Sequence, residues 1–158
     1  MSVLAFRQAP LNMRGVNKRD LRTQFGALCY RIVKDKPQIL LITSRTTKRW
    51  ILPKGWPMSD VTPAQAAATE AWEEAGVKGR AFEQCLGLYS YLKTNEDAPD
   101  LPCAVLVYPV RVKKLAEEFP ERAERKRKWF SPKKASLQVA EPELKAILKA
   151  FDPSLLRG

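Results

Sequence analysis

The chain has 158 residues, with 28 Lys and Arg against 17 Asp and Glu, a net charge of +11 and no histidine. That length fits one domain with a real core, and the absence of histidine excludes Ser-His-Asp and Cys-His catalysis and most zinc sites. No apolar run approaches the roughly 18 residues of a membrane span, and the charge favours polyanionic partners without naming one. Residues 1–20 read as an irregular basic arm, in which Arg7 and Gln8 interrupt an apolar start too short for a secretory signal. Residues 23–33 alternate enough to predict a strand with Phe25, Ala27, Cys29 and Tyr30 toward the core. Lys34, Asp35, Lys36 and Pro37 form a turn, and the continuous apolar run within 38–43 fits a buried strand, so the two make a hairpin. A short strand follows at 50–52, then a Gly- and Pro-punctuated loop over 54–60.

A helix is predicted next. Thr62 caps it, Pro63 takes the first helical position, and Gly76 ends it in a left-handed conformation. Ala64, Ala67, Ala68, Ala71 and Ala75 make a broad stripe of small side chains that allows close approach to a sheet. Beyond it, residues 82–92 and 103–112 read as longer strands joined by an acidic, mobile loop at 94–102. Residues 113–125 are charged and loop-like, and Pro120 excludes one long helix there. A short strand at 127–130 and a C-terminal helix at 141–151 with Leu144, Ile147, Leu148 and Phe151 on one face complete the chain. Cys29, Cys85 and Cys103 are widely spaced in apolar runs and read as buried, reduced residues of a cytoplasmic protein. Strands with one helix in the middle and one at the end predict an α/β fold with a sheet layered between helices.

The chemistry concentrates on the central helix. Glu70, Glu73 and Glu74 stand at i, i+3 and i+4 and share one face. Neighbouring carboxylates repel, and a cation offsets the repulsion. Hard oxygen ligands suit Mg²⁺ or Mn²⁺, and Mg²⁺ is commonly held by a few carboxylates together with substrate phosphates. The competing reading is a solvated acidic face, the usual fate of a charge run.

The segment from Gly55 to Val77 resembles the signature of the Nudix hydrolase family. Gly55, Glu70, Glu73, Glu74, Gly76 and Val77 stand on its fixed positions in register. Val61 stands where the family has its first glutamate, Thr69 where it has an arginine, and Ala71 where a larger aliphatic is usual. Asp60, or a Thr69 hydroxyl bonded to Glu73, are candidates to compensate. The segment from Leu41 to Pro53 and the basic stretch from Arg125 to Phe130 look like those of the diphosphoinositol polyphosphate phosphohydrolases. The resemblance implies one Nudix domain over 1–158, folded as an α/β/α sandwich around a mixed sheet. It also implies Mg²⁺ or Mn²⁺ on Glu70, Glu73, Glu74 and the Gly55 carbonyl. Glu70 is a candidate base, and Glu96, in the predicted mobile loop, is another.

Substrate phosphates need donors, and Arg45, Arg49, Lys54, Arg127 and Lys128 are the candidates. Trp56 either stacks on a base or packs the loop. Three functional readings result. The first is a Mg²⁺-dependent hydrolase of a phosphoanhydride in a small polyphosphate, a diadenosine polyphosphate or a diphosphoinositol polyphosphate. The second trims 5′ triphosphates from RNA. The third is a weakly catalytic module that binds nucleotides or RNA. The first is preferred over RNA, and no membrane partner is expected.

Overall fold

In the computed structural model the described residues are 21–95 and 98–157, without the side chains of Asn95, Ala98 and Pro99. The predicted arm and Glu96 lie outside them. The strands are β1 (Arg22–Val33), β2 (Lys36–Thr43), β3 (Trp50–Ile51), β4 (Lys54–Gly55), β5 (Val77–Ala81), β6 (Gly87–Asn95), β7 (Ala98–Leu115) and β8 (Arg127–Phe130). The helices are α1 (Pro63–Ala75), α2 (Pro132–Gln138) and α3 (Pro142–Ala150), with single 3₁₀ turns at Arg122–Glu124 and Pro153–Leu155.

The strands form one mixed sheet along the path β3-β2-β1-β7-β5, to which β4 adds by pairing β1, β6 by pairing β7, and β8 by pairing β2. Among the described residues only the central β1–β7 pair is parallel. Strand alternation splits the core in two. Leu28 and Tyr30 of β1 and Ile39 and Leu41 of β2 pack under α2 and α3 with Leu144, Ile147 and Leu148. Ala27 and Cys29, with Leu40 and Ile42, meet Ala64, Ala67, Ala71 and Ala75 of α1 on the other face. This is the predicted α/β/α sandwich.

Several expectations need correction. Residues 27–30 of β1 are all buried and Phe25 only half-buried, because helices cover both faces and a central strand has no solvent side. The turn into β2 is just Lys34 and Asp35, both with positive φ (51° and 65°), a geometry that suits a two-residue hairpin. Residues 82–86 are not strand. Their apolar side chains Phe82 and Leu86 are buried in the core, and the backbone touches β7 only at the ends, through Phe82 N–H to Pro109 O (3.0 Å) and Leu86 N–H to Val107 O (2.8 Å). The predicted loop at 94–102 is largely hairpin, since β6 and β7 pair as far out as Asn95 and Ala98. Helix α2 went unread although Ser131-Pro132 is a cap-and-proline start; Ser131 Oγ accepts from the Lys134 N–H at 3.2 Å. Cys29 and Cys103 are buried as expected, but Cys85 is only half-buried; all three are free thiols. Among the described residues no helix is long and apolar enough to cross a membrane.

Candidate active site

Both ends of α1 are fixed by the residues that predicted them. Thr62 Oγ1 accepts from the Gln65 N–H (3.2 Å) and Gln65 Oε1 accepts from the Thr62 N–H (3.0 Å), a reciprocal capping box behind Pro63. Gly76 closes the helix with φ 68°, and its N–H reaches the Ala71 and Trp72 carbonyls. Between these ends the alanines let α1 settle onto the sheet, and β4 comes alongside because Gly55 pairs with Phe25 and Lys54 with Gly26 of β1. Glu70 and Glu74 are thereby pressed into the seam between α1 and β4.

The carboxyl of Glu70 lies directly over the Cα of Gly55, so a side chain at that position would collide with it. Glu74 is not on a solvated face: its exposure is 7 %. Burial pushes its carboxyl from 4.5 up to about 8, Arg125 opposes the shift, and the bond to Glu70 adds to it. Glu70 is also raised, by partial burial first and then by the nearby Glu73 and Glu121. The two carboxyls lie against each other, and that contact raises Glu74 while lowering Glu70. Glu74 Oε1 also accepts from the Lys54 N–H (3.4 Å) and faces Arg125 Nη2 (3.7 Å).

Arg125 organises the far side. Its side chain is 8 % exposed; Nη2 and Nε reach Glu121 Oε1 (2.9 and 3.0 Å), and Nη1 donates to the Thr43 carbonyl (3.1 Å). The Glu121 N–H in turn reaches the Glu73 carbonyl (3.0 Å), tying the loop before β8 to the end of α1. Glu73 itself is half-buried.

These residues stand beside a cavity of about 310 Å³ lined by Arg45, Arg49, Lys54, Glu74, Tyr91 and Arg125, among others. Three of the five predicted phosphate donors thus share one cleft. Arg45 is 60 % exposed and only 3.9 Å from Glu121 and from Glu124, a loose pairing. Arg49 Nη1 lies 3.3 Å from Glu141. Lys54 Nζ sits 4.8 Å from the Tyr91 ring centre, and burial lowers its pKa against the pull of Glu74 and Glu141. The Tyr91 hydroxyl donates to Gln24 Oε1 at 2.5 Å.

The other two donors are elsewhere. Arg127 Nη1 donates to the Ala75 carbonyl (2.7 Å) and stacks its guanidinium on Phe119 (4.9 Å), serving as a lid on the C-terminal end of α1. Lys128 is exposed with Nζ 5.4 Å from the Phe130 ring. Trp56 is partly exposed beneath Lys93 Nζ (4.9 Å). The Thr69 hydroxyl bonds backward to the Gln65 carbonyl (3.0 Å) rather than to Glu73, the usual alternative for a hydroxyl within a helix. Val61 and Asp60 are exposed, Asp60 with φ 62° in the turn before the cap. Sequence reasoning missed Arg125 and Tyr91. Arg125 heads the basic stretch that runs to Phe130, but only the fold brings it to Glu74.

Among the described residues no three acidic or cysteine side chains converge into a ready-made cage. The Glu70–Glu74 pair is nonetheless a fit for a hard divalent cation, because it sets two carboxyls, one half-buried and one buried, against each other in the seam beside Gly55. Glu73 is close enough to raise Glu70, and Gly55 lies beneath the Glu70 carboxyl.

The family model described as "NUDIX domain" matches residues 22–151. The chain is 30 % identical over 151 residues to Nudix hydrolase 12, mitochondrial, of Arabidopsis thaliana, covering 85 % of this chain and 73 % of that one. It is 31 % identical over 123 residues to human diphosphoinositol polyphosphate phosphohydrolase 3-beta, covering 77 % and 71 %. A Caenorhabditis elegans Ap4A hydrolase structure shares the fold with a TM-score of 0.60 at 21 % identity, over 81 % of this chain and 93 % of that one. The chain belongs to the NUDIX domain family and is a Nudix hydrolase.

Proposed function

We propose that the protein hydrolyses a phosphoanhydride bond in a small, highly charged polyphosphate, with diadenosine polyphosphates and diphosphoinositol polyphosphates as the preferred substrates and Mg²⁺, or Mn²⁺, as cofactor. The observation that carries this reading is the Glu70 carboxyl seated over Gly55 and the buried Glu74, at the edge of a cleft lined by Arg45, Arg49, Lys54 and Arg125. The resemblance to a diphosphoinositol polyphosphate phosphohydrolase supports the substrate class. The free cysteines suit a reducing compartment, and we place the protein in the cytoplasm.

Glu70, Glu73, Glu74 and the Gly55 carbonyl would hold the metal. When bound, such an ion polarises a phosphate oxygen and lowers the pKa of its water. The protein's own residues do the rest. Arg45, loosely paired, is free to swing to a phosphate. Arg49 and Lys54 contribute further positive charge on the same wall of the cleft, and guanidinium forks suit phosphate oxygens. Arg125, on the same cleft, lies 3.7 Å from Glu74 and holds it in place. Glu70, half-buried against Gly55, is the nearest described candidate to receive a proton from an attacking water.

A panel of diadenosine hexaphosphate, an inositol pyrophosphate, ADP-ribose, a nucleoside triphosphate and 5′-triphosphorylated RNA, each with Mg²⁺ and with chelator, tests the reading. Metal-dependent release of phosphate or nucleotide from the first two, abolished in Glu70→Gln and Glu74→Gln, is expected. Preferred turnover of the RNA would move the assignment to a 5′-pyrophosphohydrolase. Binding without turnover of any of the five would leave a recognition module.

A further inference from the structure

The positive charge is not confined to the cleft. Strand β5 and residues 111–115 of β7 form a ribbon carrying Lys78, Arg80, Arg111, Lys113 and Lys114 and no acid. All five cations are exposed. The antiparallel register sets Lys78 directly opposite Lys114 and Arg80 directly opposite Arg111. Directly opposed residues project from the same face about 5 Å apart, and like charges so placed destabilise a sheet. Here the arrangement occurs twice in succession.

The ribbon is also shaped to allow it. A side chain at Gly79 would strike the Arg111 carbonyl, so glycine lets the strands close at the register shift between Lys78 and Gly79; that shift leaves Lys113 as an extra cation between the pairs. Lys78 lies 5.2 Å from the Trp72 ring and Arg80 4.8 Å from the Phe82 ring, so aromatic faces steady two of the cations. Among the described residues none of the five is in an ion pair. Glu117 and Glu118 follow the ribbon, and Glu118 is paired with Arg122 at 3.0 Å.

We propose that this ribbon is a binding surface for a single-stranded nucleic acid, separate from the catalytic cleft. Lys78 and Arg80 repeat along an extended backbone at about 6.6 Å. Doubled by their opposite partners, they form a ladder of charge that suits a chain of phosphates better than one phosphate. A membrane surface fits less well, since Val77, Ala81 and Val112 pack into the α1-side core and leave no apolar side chain of the ribbon to insert. The inference does not rest on the proposed substrate.

Fluorescence anisotropy with a 5′-hydroxyl oligonucleotide of about 16 residues, in RNA and DNA forms and over a range of salt, tests it. Lacking a 5′ phosphate, this probe offers the cleft no polyphosphate. Wild type should bind one or both forms with a steep salt dependence. Replacing Lys78, Arg80, Arg111 and Lys114 together by Gln should weaken binding at least tenfold and flatten the log–log salt slope by about 3, at about 0.7 per phosphate contact. Turnover of a small polyphosphate should be unchanged. The double variant Lys78→Glu, Arg80→Glu guards against misfolding: it turns two repulsive pairs into attractive ones, so Tm should rise while binding is lost. Equal binding by wild type and both variants overturns the proposal, as does binding to phosphatidylserine vesicles but to neither oligonucleotide.

Discussion

Arg125 Nη2 lies 3.7 Å from Glu74 Oε1, and both side chains are more than nine-tenths buried. The arginine comes from a loop some fifty residues beyond the glutamate, yet the fold sets the two side by side at the cleft. Because Glu121 takes the shorter contacts, removing Arg125 strands one acid and loosens another. Arg125→Ala is expected to destabilise the fold by about 3 kcal/mol, in line with broken buried pairs, and to lower kcat at least tenfold. Urea unfolding and steady-state kinetics check both. Arg125→Lys should recover part of the stability and little of the activity, since an ammonium cannot span Glu121, Thr43 and Glu74 at once.

The raised Glu74 carboxyl gives a pH signature. Glu74 titrates near 8 in the folded protein and near 4.5 when unfolded, so between those values the folded state binds more protons. Stability is therefore full below about pH 4.5 with respect to this group and falls as pH rises toward 8. In the metal-free protein Tm should decline over that window, and Glu74→Gln should flatten the decline. The stabilisation given by added Mg²⁺ should grow with pH, because the ion must displace the proton. A Tm response to Mg²⁺ that is independent of pH between 5 and 8 would contradict the assignment.

Gly55 is held to glycine by the Glu70 carboxyl above it rather than by a left-handed backbone. Gly55→Ala should fold, with a loss of about 1–3 kcal/mol from overpacking, while displacing Glu70 and reducing metal-dependent activity by about a hundredfold or more. Calorimetric titration with Mn²⁺ would show the same change as weaker binding.

The two arginines first grouped as phosphate donors should separate. Arg45→Ala is expected to raise KM with little change in Tm, since its pairings are exposed and long. Arg127→Ala should lower Tm with KM unchanged, because its bonds are to the Ala75 carbonyl and the Phe119 ring. The reverse pattern would return Arg127 to the cleft.

Val61 and Thr69 replace the glutamate and arginine of the family pattern, but Arg125 already braces Glu74. Restoring them as Val61→Glu with Thr69→Arg should change kcat/KM by less than about threefold. A tenfold rise would show that the orientation of the glutamates limits the native enzyme.

Much of this was legible in the chain because it is local. Thr62-Pro63 and Gly76 mark the ends of α1, the alanine stripe gives its buried face, and the spacing of Gly55, Glu70, Glu73 and Glu74 gives the family; each depends on neighbours within a few turns. The places where the reading failed are those where a distant partner overrides local pattern. Residues 82–86 are apolar because they pack, not because they pair. Residues 27–30 lose their alternation because helices cover both faces of β1. Arg127 is a phosphate candidate by residue type, and only the fold puts the Ala75 carbonyl and the Phe119 ring within its reach.

The sequence by itself determined the helix, its caps, its acids and a strongly cationic chain, since backbone preference and side-chain spacing act over short range. Only the tertiary structure decided that Glu74 is buried, that Arg125 lies against it while Thr69 bonds back to Gln65, and that Lys78 faces Lys114. Those outcomes depend on which segments the sheet brings together, and desolvation and charge proximity exist only after it has done so.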